Sequence, residues 1–144
     1  MAVAETLAQF KETESGESFS LQNGKLLKVT PDLAKRHYAE HVHKPFYPGL
    51  VSFMTSGPVL ALALRGKNAV AVVRKMLGAT FCSKAESGTI RGDFGISDGF
   101  NLVHASDSPE AAKFELALFF RDGEILDYPM ADTVWVYDTT SDLR

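Results

Sequence analysis

The chain has 144 residues, 45% of them hydrophobic and 23% charged, with a formal net charge of −3. That is length and apolar content for one domain, residues 1–144, with a packed core, and it is not the composition of a disordered chain. The negative balance argues against general nucleic-acid binding through a basic face, a lone Cys82 excludes an internal disulfide, and no apolar run is long enough to span a bilayer. With no basic–apolar–cleavage pattern at the start, these features predict an intracellular, reducing compartment, cytoplasm or organelle matrix.

Val3, Leu7 and Phe10 fall at helical spacing among good helix formers, so a short helix is expected before Gly16. Phe19 to Val29 reads as a β segment, either one strand bulged near Asn23-Gly24 or a hairpin turning there. Thr30-Pro31-Asp32 opens a helix carrying Leu33, Ala34 and Tyr38 and ending around His41. After the rigid loop Lys44-Pro45-Phe46-Tyr47-Pro48, a brief helix is expected from Gly49 to Met54. The run Val59 to Leu64 is continuous enough for a central strand, covered on both faces or on one face and by a neighbour. Asn68 caps a helix whose inward stripe is Val70, Val73, Met76 and Leu77. Periodicity fades between Thr80 and Phe100, the mark of a long functional loop. A short strand with Leu102 and Val103 then delivers His104, and Ser108-Pro109-Glu110 supplies cap, first residue and first-turn acid for a helix to Phe119. The tail, with Ile125 to Tyr128 and Val134 to Tyr137, is apolar enough to be pinned to a body or a neighbouring subunit. The order of elements fits an antiparallel α+β sandwich.

His104 sits between a strand and a capped helix, where a side chain meets substrate without the backbone moving. A histidine has an ordinary pKa of about 6.5, so roughly three quarters of such rings are neutral at pH 7 and able to attack phosphorus without a separate base. Arg74 and Arg91 carry the planar forks that hold phosphate oxygens. His37, His41 and His43 have no acidic or cysteine companion at ligand spacing, so no metal site is expected of them.

Gly88-Thr89-Ile90-Arg91-Gly92-Asp93-Phe94, followed by Asn101-Leu102-Val103-His104-Ala105-Ser106-Asp107-Ser108-Pro109-Glu110, resembles the nucleoside diphosphate kinase family, whose active histidine lies in a motif N-x-x-H-G-S-D. The resemblance runs from roughly Phe19 to Tyr137. It implies a ferredoxin-like βαββαβ sheet with extra helices and a C-terminal extension. It also implies transfer of the γ-phosphate of ATP or another nucleoside triphosphate to a nucleoside diphosphate through phospho-His104. In that family pattern Glu115 and Ser106 support the histidine, while Tyr38, Arg74, Thr80 and Arg91 contact phosphates. Asn101 reaches the ribose, the base slips between Phe46 and Leu50, and Mg²⁺ arrives on the nucleotide phosphates. Oligomers, a homo-oligomer or a subunit of a larger complex, are implied as well.

This chain departs from the pattern at Ala105, where the family has glycine, and at Asp98 and Phe100, where it has an apolar and a basic residue. It departs again at its start, where the family has a strand with a lysine-proline-aspartate motif that would be absent if Val3 to Glu12 is the helix after it, and whose lysine would be Lys11 in the other alignment. Val3 to Glu12 resembles the helix that follows that strand; Thr6 to Lys11 read as the strand itself is the alternative. An empty internal slot would leave buried backbone groups unpaired at roughly 1–3 kcal/mol each, so a strand supplied by another chain or a rearranged part of this one is expected. The missing lysine predicts a slowed enzyme, about ten- to a hundredfold for one charge-assisted contact. The competing readings are a weakened or inactive kinase-like structural subunit of a larger assembly and a nucleotide sensor.

Overall fold

The computed structural model describes residues 20–128. The helix expected from Val3 to Phe10 and the apolar Val134 to Tyr137 lie outside the described residues. Within them the order is strand β1 (Ser20–Lys28), helix α1 (Pro31–His37), a 3₁₀ turn (Ala39–His41), α2 (Tyr47–Thr55), β2 (Pro58–Arg65), α3 (Ala69–Leu77), a second 3₁₀ turn (Cys82–Lys84), α4 (Ile90–Phe94) and α5 (Pro109–Phe119).

β1 and β2 pair antiparallel from Ser20↔Arg65 to Lys28↔Pro58, with a register shift between Leu21 and Asn23. The bulge reading of Asn23-Gly24 therefore holds and the hairpin reading does not: the chain passes through Gly24 without turning. Along β2, Val59, Ala61 and Ala63 are buried while Leu60 is exposed on the other face opposite Leu26, so among the described residues one face is covered throughout and the other only toward its end, where Leu64 packs against the cluster of Ala69 and Val73. The buried side meets α1, α2 and the end of α5 through Ala34, Met54, Leu116, Phe119 and Phe120. Full burial of Met54 alone contributes roughly 1.5–3 kcal/mol.

Caps set the helix starts as expected. Thr30 Oγ1 accepts from Leu33 N and Ser108 Oγ from Ala111 N, each followed by proline at the first position. α1 is shorter than its pattern suggested, giving way to the 3₁₀ turn after His37. Asn68 precedes α3 in a left-handed conformation (φ 53°) and its side chain makes no cap bond, so it acts through its tolerance of positive φ. Ala69, Val73 and Leu77 are the buried stripe of α3, whereas Met76 is half exposed. The tail is pinned as expected where it is described: Leu126 N donates to Gln22 O, Tyr128 Oη to Leu21 O, and Asp127 pairs with Arg65.

Two expectations fail. The stretch 80–100 contains the 3₁₀ turn and α4. The segment carrying Leu102 and Val103 belongs to no strand: β1 and β2 form a two-stranded sheet, and residues 101–106 have no ladder among the described residues. A strand is defined by its partner as well as by its side chains. Val103 and Ala105 are buried with Ala69, Val73, Leu77 and Ala112, yet no described segment runs beside them to complete a ladder. The strand expected from elsewhere concerns residues 1–19 or another chain, outside the described residues.

Candidate active site

The motif 88–94 is a single helical turn tied down at every polar position. Thr89 Oγ1 accepts from Gly92 N (3.1 Å) and donates to Glu86 O (2.6 Å), and Asp93 Oδ1 accepts from Gly88 N (2.7 Å). Arg91 is buried and donates to four carbonyls: Asn101 O, Gly78 O, Ala79 O and Val103 O. It thereby staples α4 to the end of α3 and to the histidine segment. Burial lowers its pKa below the ordinary guanidinium range, with Cys82 opposing the fall and Arg74 adding to it. A Cβ on Gly92 would overlap the Glu86 carbonyl oxygen, which cannot swing away as a side chain could. Gly92→Ala is therefore expected to cost about 1–3 kcal/mol, read by chemical denaturation with an unchanged m-value.

Just before His104 the backbone makes a γ-turn: Val103 N donates to Asn101 O at 2.8 Å, and Leu102 between them has φ 68°. This is the rarer, strained form, and a branched side chain at positive φ is held there only by its surroundings. Arg91, bonded to the carbonyls on both sides of Leu102, provides that restraint. Ala105 is not among the residues at positive φ, so alanine fits where the family has glycine.

His104 Nε2 lies 3.0 Å from Glu115 Oε1, and Ser106 Oγ donates to the other carboxylate oxygen. Glu115 is buried on α5 at the core-facing spacing of Ala112, Leu116 and Phe119. Burial by itself would raise the Glu115 pKa. The hydrogen bond and charge of His104, the Ser106 hydroxyl and the His37 charge outweigh it and hold the carboxyl below its ordinary 4.5. An ionised carboxylate only accepts, so Nε2 carries the proton and the lone pair of the neutral ring is on Nδ1.

His104 lines a cavity of about 1030 Å³, large for a small-molecule pocket. The same wall carries Tyr38, Phe46, Leu50, Arg74, Thr80, Arg91 and Asn101, so every predicted nucleotide-contacting residue converges here. Ser106 and Glu115 stand behind the ring. Two predicted contacts have structural duties as well: Asn101 Nδ2 donates to Thr80 O (3.1 Å), and Arg74 Nη1 to Ala105 O (3.2 Å). The altered mouth is built from Asp98, which accepts from Ser83 N and Oγ at 2.9 Å each, and from Phe100, whose ring centre lies 5.1 Å from that of Phe53. The hydrogen bond from the Ser83 backbone leads in lowering the Asp98 pKa, with the Ser83 hydroxyl and Lys84 acting the same way.

Sequence reasoning gave His37 no role, yet its side chain is 1% exposed, its ring centre is 5.1 Å from that of His104, and Nδ1 lies 4.0 Å from Glu115 Oε1. The available signal was position: His37 is three residues from the fully buried Ala34, on the core face of α1. His41 was also passed over; it lines the cavity beside Tyr38 and Phe46.

Comparison with known proteins places the chain among relatives. The family model described as nucleoside diphosphate kinase matches residues 2–125, so the likeness reaches further toward the start than the motifs did and stops short of Tyr137. A nucleoside diphosphate kinase of Archaeoglobus fulgidus is 52% identical over 114 residues, 79% of this chain and 76% of that one. One of Carboxydothermus hydrogenoformans is 45% identical over 136 residues, 94% and 89% of the two chains. Among solved structures, a Halobacterium salinarum nucleoside diphosphate kinase in complex with CDP superposes with a TM-score of 0.81 at 46% identity, covering 83% of this chain and 80% of that one. The fold is thus the ferredoxin-like α+β fold of these enzymes. The chain belongs to the nucleoside diphosphate kinase family and is a phosphotransferase.

Proposed function

We propose that this chain moves the γ-phosphoryl group of a nucleoside triphosphate to a nucleoside diphosphate through a phosphohistidine at position 104. The observation that carries the reading is the hydrogen bond from Nε2 to Glu115, because it leaves the lone pair on Nδ1 of a ring in the cavity wall. In the first half-reaction the Nδ1 lone pair forms the N–P bond as the bond from phosphorus to the β,γ-bridging oxygen breaks, and the diphosphate leaves. In the second, an oxygen of a different diphosphate attacks the same phosphorus and the N–P bond breaks. As the ring gains positive character, the Glu115 carboxylate stabilises it without taking its proton, and Ser106 fixes the carboxylate in place.

The phosphate charges face the guanidinium groups of Arg74 and Arg91 and the hydroxyls of Thr80 and Tyr38. Because Arg91 is already bonded to four carbonyls, it acts mainly as a fixed positive charge in the wall. Asn101 meets the ribose, and the base stacks on the exposed ring of Phe46 next to Leu50, a contact every nucleobase can make. Mg²⁺ fits this chain only as a passenger on the nucleotide. Asp98 is the one carboxylate lining the cavity among the described residues, and both its oxygens are engaged by Ser83, so no carboxylate pair is left for a hard cation. When present, the ion neutralises developing phosphate charge.

Steady-state kinetics test the reading. Varying ATP at several fixed concentrations of a second diphosphate should give parallel double-reciprocal lines, the pattern of a covalent intermediate. Intersecting lines would mean direct transfer, and absence of turnover would favour the structural-subunit reading.

A further inference from the structure

Glu115 Oε1 stands between two imidazoles. It is 3.0 Å from His104 Nε2 and 4.0 Å from His37 Nδ1, and one donor atom from each of the three side chains lies within 4.8 Å of the other two. The three come from separate parts of the chain, α1, the segment after the γ-turn and α5, so folding alone assembles them. His37 and Glu115 are nearly closed to solvent, at 1% and 10% side-chain exposure, while His104 at 33% opens to the cavity. Ser106 holds the second carboxylate oxygen, so Oε1 is the one presented to both rings. Anchoring of this kind orients carboxylates that ligate metals.

We propose that His37, His104 and Glu115 form a binding site for a transition-metal dication of the zinc type. Two imidazoles and one carboxylate are a donor set that zinc takes with a fourth position left open, at bond lengths of about 2.0–2.2 Å. A point central to donors this close together is roughly 2.4–2.8 Å from each, so rotations of a few tenths of an ångström would close the site around an ion. The Mg²⁺ that accompanies nucleotides does not compete, since it prefers oxygen ligands and keeps its waters. As the metal–nitrogen bond forms at Nε2 of His104, the ring proton moves by solvent exchange to Nδ1, so the ring stays a neutral ligand and the lone pair that would meet phosphorus is taken up. The ring then shares its electrons with the cation, and Glu115 no longer supports it. The site therefore makes the dication an inhibitor of phosphoryl capture. That consequence rests on the phosphotransfer reading, whereas the binding itself does not.

The test uses Co²⁺ as a spectroscopic probe, titrated into the full chain without nucleotide and followed by calorimetry and visible absorption. One equivalent should bind with the absorption of a four- or five-coordinate ion. Affinity should fall at least tenfold in His37→Gln and stay unchanged when His41 and His43 are both replaced by asparagine. Failure to bind one equivalent, or binding that survives His37→Gln and disappears in the His41/His43 variant, overturns the site. Side-chain nitrogen NMR of the unmodified chain covers the case in which His37→Gln does not fold. His37 and His104 should then shift together on adding Zn²⁺, and shifts confined to His41 and His43 overturn the proposal. One equivalent of Zn²⁺ should also stop phosphoenzyme formation, reversibly with a chelator. Metal binding in a chain that shows no turnover would sink the kinase reading alone; full turnover in a chain that binds no metal would sink this one alone.

Discussion

Replacement of His104 by alanine is expected to lower turnover at least about 10³-fold, the scale on which removal of a covalent nucleophile is felt, and to abolish the phosphoenzyme. The reason is that the variant removes the cavity-lining ring whose Nε2 is bonded to Glu115. The nearest imidazole, His37, has a side chain only 1% exposed behind His104, so it cannot reach phosphorus. The same variant should retain nucleotide binding within a few-fold, because Phe46, Arg74, Thr80 and Arg91 are held by other elements. Isothermal titration with a nucleoside diphosphate, alongside a coupled kinase assay, separates the two effects. A His104→Ala chain that still turns over would remove the histidine from the mechanism.

The second large effect belongs to Glu115. Glu115→Gln keeps size and shape but removes the charge that stabilises the ring as it becomes positive, and kcat is expected to fall about 10- to 100-fold with KM little changed. Stability carries an independent signature. Glu115 has its folded pKa below the ordinary 4.5, so its ionised form contributes stability that is complete above that value and fades as pH falls through 4.5 toward the folded pKa. Thermal unfolding of the wild type and Glu115→Gln from neutral to acid pH should thus show a difference that shifts in favour of the variant as acid is added. A difference independent of pH would mean that the carboxylate contributes no charge of its own.

Much of this site was legible in the residues because its parts announce themselves locally. Ser108-Pro109-Glu110 is a complete helix start, and Thr89 with Gly92 is another hidden in a stretch without periodicity. α4 was missed because five residues do not complete a hydrophobic stripe; it is built from polar ties to Glu86, Gly88 and the cap. The turn at Leu102 was missed for the opposite reason. Leu-Val is strand-forming by propensity, and the positive φ is imposed from outside by the Arg91 staple. His37 illustrates a third kind of loss. Its spacing from Ala34 marked it as buried, but which side chain it faces depends on α5, 78 residues further along, where Glu115 enters the core among apolar neighbours. Arg91 was read as a phosphate contact; the folded structure places it in the cavity wall, positioned by four backbone carbonyls that the sequence does not reveal.

The most direct measurement identifies the nitrogen. After incubation with ATP and Mg²⁺, the intact chain should gain one acid-labile phosphoryl group, and phosphorus–nitrogen correlated NMR should place it on Nδ1 of residue 104, since Nε2 is occupied by Glu115. Phosphorus found on Nε2, on another residue or nowhere would contradict the arrangement on which the mechanism stands.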